Sequence, residues 1–335
     1  MFTQKIEEKI TFKDKTITVD SNGVLTLHLF DIRDTSEVKG LETLKTLTGL
    51  NLGNNKISDV RGLASLKNLR ELYLDTNNIS DISEVEGLDQ LTNLKKLDLG
   101  NNKISEINGL DQLTNLKKLD LGNNKISEIN GLDELTNLRK LYLGNNKISE
   151  IKGLDRLTYL TELSLSFNQI KQIKNLGQLI NLQFLDFDRN QISIITGLDK
   201  LTHLERLNLN QNQLIKISGL EAFSKLHILF LSENKITEIT GLDTLKELRE
   251  LYLDGNQLTE IAGLENCVEL EHIDFRYNKI SKISGLGTLD KLEWLYLSEQ
   301  ENNPLRVVLK ELGKLSSVGY ALEPQRFVLY SQQHD

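Results

Sequence analysis

The sequence predicts an α/β solenoid, in which short parallel strands stack into one sheet and short 3-10 or helical segments form the opposite side. A pattern of 22 residues, LxxLxLxxNx[IL]xxIxxLxxL, recurs along most of the chain. Its Leu-x-Leu tract has the period of a strand, and its later apolar positions are spaced by three, which favours 3-10 turns. Because a strand needs less length than its return path, we expect the sheet to line the concave side of a horseshoe.

The repeat is most regular in the middle of the chain. Residues 89–110 and 111–132 are identical at all 22 positions, and residues 133–154 differ from them at four. Successive pattern asparagines are 22 residues apart except for one interval of 25, whose three extra residues lie near Ser83. The asparagines of this column are Asn55, Asn77, Asn102, Asn124, Asn146, Asn168, Asn190, Asn212, Asn234, Asn256 and Asn278.

Each repeat is expected to form one strand and to contribute one residue to an asparagine column and one to a glycine column. In one copy, Leu119 and Leu121 are expected to point inward and Asp120 outward. The chain turns sharply after each strand, and an inward asparagine amide can satisfy the buried backbone groups there. A glycine column marks a second tight turn; Asn175 replaces glycine in one repeat and also tolerates positive φ. We therefore interpret the asparagine column as a structural ladder.

Both ends of a solenoid need segments that cover the open apolar core. We predict an N-terminal cap with a degenerate first repeat at residues 1–40, repeats of 22 residues (one of 25) at 41–297, and a C-terminal cap at 298–335. In the N-terminal cap, Asn22-Gly23 between the apolar runs 16–19 and 24–29 predicts a hairpin.

The C-terminal cap begins where the asparagine column ends, since Gln300 stands where the next asparagine is due. Asn303-Pro304 is typical of the start of a helix. The apolar residues that follow at helical spacing are Leu305, Val308, Leu309 and Leu312. These residues predict a short amphipathic helix over the last repeat, and the apolar run Phe327–Tyr330 predicts a closing strand.

Composition and charge exclude several classes of function. A formal net charge of −8 and a pI near 5.4 disfavour binding to nucleic acid and to anionic membranes. The longest apolar runs have four residues, whereas a membrane span needs about 20. The charged N-terminus does not fit a signal peptide, and one cysteine rules out an intrachain disulfide. We therefore expect a cytoplasmic protein.

No group of residues predicts an enzyme, a cofactor site or a metal site. His272 and Asp274 are expected on one face, but no serine or cysteine is placed to use them as a catalytic pair. Asp98 and Asp120 occupy one column of adjacent strands, where stacked carboxylates are a conceivable calcium site; neighbouring lysines can neutralise them without metal. Cys267 takes a leucine position, so we expect it to be buried and unreactive.

The outward face of the predicted sheet has an aromatic cluster in its later repeats. Strands favour aromatic residues in general, but a cluster ringed by charge is typical of interface hot spots. The identical repeats place only Lys, Asp, Gly and Asn on this face, and we interpret them as a spacer. The residues predicted to bind a partner are Phe184, Asp186, Ile228, Phe230, Tyr252, Asp274, Tyr277, Trp294 and Tyr296.

The stretch from about Leu41 to Leu297 resembles the leucine-rich repeats of the 22-residue class. Gly-Leu-Glu-Asn at 263–266, Leu-Arg-Glu-Leu-Tyr-Leu at 69–74 and 248–253, and Asn-Lys-Ile-x-x-Ile resemble the regulatory subunits of protein phosphatase one within this class. That resemblance implies a non-enzymatic protein that binds a phosphatase catalytic subunit through concave aromatic and acidic side chains. The residues that match this type of surface are Phe230, Tyr252, Trp294, Tyr296, Asp186 and Asp274.

The bacterial internalins share this repeat and use it for adhesion, although we do not expect their signal peptide and surface anchor here. Taken together, the sequence predicts a non-enzymatic scaffold without a cofactor, monomeric when unbound, that binds a protein partner through its concave face. The alternatives are a phosphatase regulatory subunit and an internalin-like adhesion protein.

Overall fold

The computed structural model describes residues 8–58, 60, 62–85, 87–301 and 312–334. The chain divides into two compact units, Met1–Leu163 and Ser164–Asp335. The predicted helix at Asn303-Pro304 and Leu305–Leu309 lies outside the described residues; Leu312, its last apolar residue, is described and buried.

The first unit begins with an antiparallel pair of strands, β1 (Lys9–Phe12) and β2 (Lys15–Thr18). The turn between them consists of Lys13 and Asp14, which both have positive φ, at 49° and 61°. Two successive residues of positive φ are the geometry that joins strands in a tight hairpin. The hairpin therefore lies earlier in the chain than the sequence indicated.

The hairpin predicted around Asn22-Gly23 is wrong, because the strand that follows joins a different sheet. β3 (Val24–Thr26) pairs in parallel with β4 (Gly49–Asn51) of the first full repeat. The Asp20 carboxylate stabilises the turn before β3, since it accepts hydrogen bonds from the N–H groups of Asn22 and Val24, each at 2.8 Å. The turn thus directs the chain into the parallel sheet rather than back along β2.

Each repeat then contributes one parallel strand of three residues. In the first unit these strands are β4, β5 (Glu71–Tyr73), β6 (Lys96–Asp98), β7 (Lys118–Asp120) and β8 (Lys140–Tyr142). β9 (Glu162–Ser164) lies where the first unit ends and the second begins. In the second unit the strands are β10 (Phe184–Asp186), β11 (Arg206–Asn208), β12 (Ile228–Phe230), β13 (Glu250–Tyr252), β14 (His272–Asp274) and β15 (Trp294–Tyr296).

The strands pair in register, so that equivalent positions of neighbouring repeats are adjacent. Leu97 pairs with Leu119, and Asp98 with Asp120. Glu71 pairs with Lys96 across the longer interval, so the three extra residues near Ser83 leave the register unchanged. Each outward column of the sequence is therefore a column of neighbours in space within a unit.

The core consists of the repeat's apolar positions, and the return path is built from 3-10 turns. Leu119 and Leu121 are fully buried while Asp120 between them is half-buried. On the return path, the N–H groups of Leu113 and Leu116 bond to the carbonyl three residues earlier, each at 2.9 Å. Short 3-10 helices form at Thr35–Glu37, Leu41–Thr43, Leu63–Ser65 and Leu88–Gln90. The predicted α/β solenoid is confirmed.

The glycine column turns the chain within the return path, directly before its 3-10 turns. The ten glycines of this column, from Gly62 to Gly285, have φ of 64° to 85°, and Asn175, which replaces glycine in this column, has φ of 60°. At Gly131 a Cβ atom would lie only 2.0 Å from the carbonyl oxygen of Ile107. Both the positive φ and the close approach of the preceding repeat therefore require glycine there.

The asparagine column forms a ladder of side-chain to backbone hydrogen bonds. The amide nitrogen of Asn146 donates to the carbonyls of Leu121 and Leu143, at 3.0 and 3.1 Å, and its oxygen accepts from the N–H of Ile126 at 3.0 Å. Gln300 continues the same pattern at the end of the column, because its amide donates to Phe275 and accepts from the N–H of Ile280, each at 2.9 Å. The longer glutamine therefore serves where the asparagine is missing.

The chain closes the last strand with a segment that the sequence did not indicate. Residues 319–321 run antiparallel to β15: the N–H of Leu297 donates to Gly319, and that of Ala321 donates to Leu295. The closing strand predicted at Phe327–Tyr330 is wrong, because these residues lie in helix α1 (Pro324–His334). Phe327 and Val328 are buried on the inner face of α1.

Proline at the first position explains the start of α1, since its missing N–H is not needed there. One buried hydroxyl fixes the helix to the last repeat: Ser331 Oγ accepts from the N–H of Leu286 at 3.0 Å. Gln332 donates to the carbonyl of Gly287 at 2.8 Å on the same side. The helix therefore covers the end of the core with backbone contacts as well as apolar ones.

Candidate functional site: the aromatic stack of the second unit

A continuous series of aromatic rings lies on the solvent-facing side of the strands in the second unit. The rings belong to strands β12 to β15 and to the closing segment, and we call them the aromatic stack: Phe230, Tyr252, His272, Tyr296, Tyr320 and Trp294. Successive centroids in this order are 4.8, 5.0, 5.3, 5.7 and 5.2 Å apart. These separations are those of favourable aromatic pairs, so each ring fixes the orientation of the next.

The register of the strands explains most of this series. Phe230 pairs directly with Tyr252, and the two rings lie nearly parallel, at 14°. In β14 the equivalent position is Asp274, and the ring of His272, two residues earlier, fills the gap between Tyr252 and Tyr296. The stack therefore uses two columns of the sheet rather than one.

Asp274 is buried beneath the stack, with 2% of its surface exposed, although the sequence predicted an outward binding residue. Its carboxylate accepts two hydrogen bonds from Arg276 Nε, each at 3.0 Å, and another from Nη2. The guanidinium of Arg276 lies 4.8 Å from the centre of the Tyr296 ring. Asp274 thus positions a cation against the stack and does not face a partner; it bonds to Arg276 and not to His272.

Two titratable groups of the stack are held in their neutral forms. Burial, followed by a hydrogen bond from Tyr252 Oη to Glu250 at 2.8 Å, raises the pKa of Tyr252. Burial lowers the pKa of His272, and Arg276 acts in the same direction, while Glu250 and Asp274 oppose them. At neutral pH the stack is therefore a surface of neutral rings with a fixed tyrosine hydroxyl.

The other predicted residues are arranged less uniformly. Trp294 is the most open ring of the stack, with 42% of its surface exposed, and Leu295 beside it is buried. Tyr277 is 59% exposed in the turn after β14, at a φ of 53°. Ile228 lies half-buried in β12, one column from Phe230. In β15, Trp294 is thus exposed and Tyr296 half-buried, on either side of the buried Leu295.

Phe184 and Asp186 lie on the same side of the sheet but not in the stack. Phe184 pairs with Arg206, which separates it from Ile228 in the next strand. Asp186 accepts a hydrogen bond from Ser164 Oγ at 2.8 Å. These two residues form a separate, more polar surface.

Three residues that form or contact the stack were not among those predicted to bind a partner. His272 could have been found from its column, since it occupies the position equivalent to Ile228 and Trp294. Arg276 lies two residues after Asp274, and Tyr320 reaches the stack only because residues 319–321 pair with β15. The contribution of Tyr320 has no signal in the repeat pattern.

The residues weighed for metal binding are adjacent, since Asp98 pairs with Asp120 across neighbouring strands. The pKa of Asp98 is raised to about 6, mainly by burial. The hydrogen bond from the N–H of Gly100 lowers this pKa, whereas the neighbouring carboxylates of Asp120 and Asp75 raise it. Within the described ranges, no group of three or more His, Cys, Asp or Glu is arranged to hold a metal ion. Cys267 is buried, and burial raises the pKa of its thiol to about 12.

None of the helices formed by the described residues is both long and apolar enough to cross a bilayer.

Comparisons with known proteins agree with this architecture. An internalin (internalin F) of Listeria monocytogenes is 29% identical, covers 83% of this chain and 88% of its own, and has a TM-score of 0.71. A leucine-rich-repeat protein of Leptospira interrogans is also 29% identical, over 77% of this chain and 74% of its own, with a TM-score of 0.64. The leucine-rich-repeat domain of the protein APL1B shares the fold at 22% identity, over 88% and 89% of the two chains, with a TM-score of 0.69.

No curated relative matches the sequence. The family model described as leucine-rich repeats in two copies matches five consecutive segments, at residues 45–90, 92–134, 136–178, 180–222 and 224–266. These segments cover more than half of the chain and contain strands β4 to β13 with the ladder asparagines from Asn55 to Asn256. The chain therefore belongs to the leucine-rich-repeat family.

Proposed function

We propose that this protein is a non-enzymatic scaffold that binds a protein partner through the aromatic stack of the second unit. The observation that carries the proposal is the continuity of the six rings on one solvent-facing surface. Rings that are already fixed by their neighbours lose little conformational freedom when a partner covers them. Large apolar rings held open to solvent in this way are typical of interface hot spots.

Trp294 supports the proposal most directly. A tryptophan that serves only stability is expected to lie inside, where its large apolar area is removed from water. Here the only tryptophan of the chain keeps 42% of its surface in solvent and makes an edge contact with Tyr320. A partner that covers this ring removes its apolar area from water. Little conformational entropy is lost on binding, because the contact with Tyr320 already orients the ring.

The charges around the stack indicate the kind of partner. The repeats that carry the stack also contain the acidic residues Glu233, Glu250, Asp254 and Glu299, whereas Asp274 is neutralised by Arg276. A partner surface with an apolar centre and a basic rim fits this arrangement. Such a rim increases the association rate at low salt more than it increases the final affinity.

Affinity capture with matched variants tests the proposal. Wild type, Trp294→Ala and Tyr159→Ala are immobilised as folded proteins, and the captured proteins are compared. Tyr159 is a suitable control because it is an exposed aromatic residue, at 56%, that belongs to the first unit. We expect a partner that is retained by wild type and Tyr159→Ala and lost from Trp294→Ala; equal recovery by all three would refute the proposed surface.

The fluorescence of Trp294 gives a second readout. Since the chain has one tryptophan, its emission reports on the stack alone. A captured partner that covers the stack should shift this emission to shorter wavelength, because the ring leaves water. An unchanged emission on saturation with the partner would place the interface elsewhere.

Two finer hypotheses concern the identity of the partner. The sequence resemblance to phosphatase regulatory subunits supports a phosphatase catalytic subunit in the cytoplasm, and the similarity to an internalin supports an adhesion receptor. Phosphatase activity in the captured material, lost with Trp294→Ala, would favour the first. Fractionation that finds the protein at the cell surface would favour the second.

A further inference from the structure

The first unit has a strongly basic groove on the solvent-facing side of its strands, remote in sequence from the aromatic stack. The groove encloses about 500 Å³ and is lined by seven cationic side chains, Tyr142 and one acidic residue, Glu71. The cations form two columns, one directly before the strands and one at their first residues. We call these residues the basic stripe: Arg70, Lys95, Lys117 and Arg139 in the outer column, and Lys96, Lys118 and Lys140 in the inner column.

Five of these seven cations form no ion pair with any residue that the structure describes. Lys96 pairs with Glu71 at 2.8 Å, and Lys140 pairs with Glu162 at 2.5 Å. Lys118 instead lies over the ring of Tyr142, at 5.1 Å. Among the residues that the structure describes, the four side chains of the outer column form no ion pair, and they are exposed.

The repeat itself does not require a basic residue at these positions. In the second unit the outer column reads Gln183, Glu205, His227, Arg249, Glu271 and Glu293. There Arg249 and Glu271 approach to 3.9 Å as an ion pair between neighbouring repeats. The same backbone therefore accepts acids, an amide and a histidine, and the run of cations is particular to the first unit.

The stripe is also unfavourable for the isolated chain. Neighbouring strands are about 4.8 Å apart, and Lys96, Lys118 and Lys140 are direct cross-strand neighbours. Like charges in directly opposed positions destabilise a sheet. Duplication of the identical repeats does not explain the whole stripe, since Arg70 precedes them and Arg139 replaces a lysine in the later copy. An anionic ligand that lies along the stripe would remove this repulsion.

We propose that the basic stripe is a second binding site, which takes an acidic protein segment in extended conformation. Its four repeats span roughly 14 Å across the sheet, a length that four to five extended residues cover. Carboxylates on such a segment can reach the outer and inner columns together. The site is distinct from the aromatic stack, so it does not depend on the function proposed above.

Two features favour an acidic peptide over nucleic acid. Single-stranded nucleic acid is bound by basic grooves that also offer aromatic rings for stacking. Among the described residues that line this groove, Tyr142 is the only one with a ring; its face is covered by Lys118, and its hydroxyl donates to Glu162 at 2.6 Å. In addition, the carboxylates of Asp98 and Asp120 lie two residues along the same strands and would repel a ligand wider than the stripe.

The test uses the full chain and a fluorescent peptide of about six Glu-Gly repeats, which is long enough to span the stripe. Fluorescence anisotropy measures its binding at low salt to wild type and to Lys95→Gln/Lys117→Gln/Arg139→Gln. The control is Lys103→Gln/Lys125→Gln/Lys147→Gln, which removes the same net charge from exposed lysines that do not line the groove. Circular dichroism establishes that both variants fold.

We expect the first variant to weaken peptide binding by about tenfold or more and the control by less than about twofold, with binding lost above roughly 0.3 M salt. Equal effects of the two variants would show attraction by net charge alone and would overturn the site. A single-stranded thymidine oligonucleotide of equal charge is the comparison ligand. If it binds more tightly than the peptide and with the same dependence on the stripe, the assignment to an acidic protein segment is wrong.

Discussion

The two units share their buried positions and differ on their outer faces. Asn146 of the first unit and Asn234 of the second are each 8% exposed and form the same hydrogen bonds to neighbouring backbone. On the solvent-facing side, the first unit has the basic stripe and the second has the aromatic stack. Positions that close the core tolerate little change, whereas outward positions are free to carry a binding surface.

A backbone column shows the same difference. The residue before each ladder asparagine has positive φ throughout, and in the first unit it is usually asparagine, as at Asn101, Asn123 and Asn145. In the second unit this column contains Gly255 and otherwise larger residues, Phe167, Arg189, Gln211, Glu233, Tyr277 and Glu299. Asparagine tolerates this conformation better than such residues do. The second unit therefore accepts local strain where it presents larger side chains.

The largest expected effect tests the shared ladder. Asn146→Ala and Asn234→Ala should each reduce the free energy of unfolding by more than about 1–3 kcal/mol, the penalty for one unpaired buried group, because several groups lose their partner. Urea denaturation followed by circular dichroism measures both variants. Because repeats couple mainly to their neighbours, the loss can appear as partial unfolding. A clear loss of stability in only one of the two variants would show that the ladder does not contribute equally in the two units.

The next effect concerns binding and separates the two outer faces. Tyr252→Ala should weaken binding to a partner captured through the stack by about 2 kcal/mol or more, as truncation of a hot spot does. Asp98→Ala, on the outer face of the first unit, should change this affinity little. Both are measured by titration of the purified partner. Equal losses would show that the interface is not confined to the stack.

A smaller effect tests the strain in the turns. Tyr277→Asn should stabilise the fold by about 1 kcal/mol, because asparagine is the better residue at a φ of 53°. The reverse change in the first unit, Asn101→Tyr, should destabilise by a similar amount. Thermal unfolding of both variants checks the prediction. If Tyr277→Asn leaves the stability unchanged, contacts of the tyrosine ring already offset the strain.

The smallest effect concerns pH. Burial raises the pKa of Asp98 from 3.8 to about 6, so the folded state binds this proton more tightly than the unfolded chain does. The stabilisation of the folded state by protonated Asp98 is therefore complete below the unfolded pKa of 3.8. This stabilisation is lost as the pH rises through about 6. Asp98→Asn should remove this loss and stabilise the protein at pH 7 relative to wild type, but not at pH 4. Urea denaturation at the two pH values measures the difference; a parallel shift at both would contradict it.

Prediction from sequence succeeded where one rule is repeated many times. The period placed the strands of the repeats, and the glycine column with its substitute Asn175 indicated the positive φ that the structure has. It failed where a single residue decides. The hairpin lies at Lys13-Asp14 rather than at Asn22-Gly23, and Phe327–Tyr330 is helical because Pro324 starts a helix that Ser331 fixes to Leu286.

For the candidate site, the sequence by itself determined which side chains face outward, since alternation along a strand of known register leaves no other choice for Trp294 and Tyr296. Only the tertiary structure decided which of them meet. It buried Asp274 under Arg276, brought His272 into the gap and added Tyr320 from a segment outside the repeats. The reason is physical: periodicity specifies a direction for each residue, whereas contact depends on the shapes and charges of neighbours that are distant in the chain.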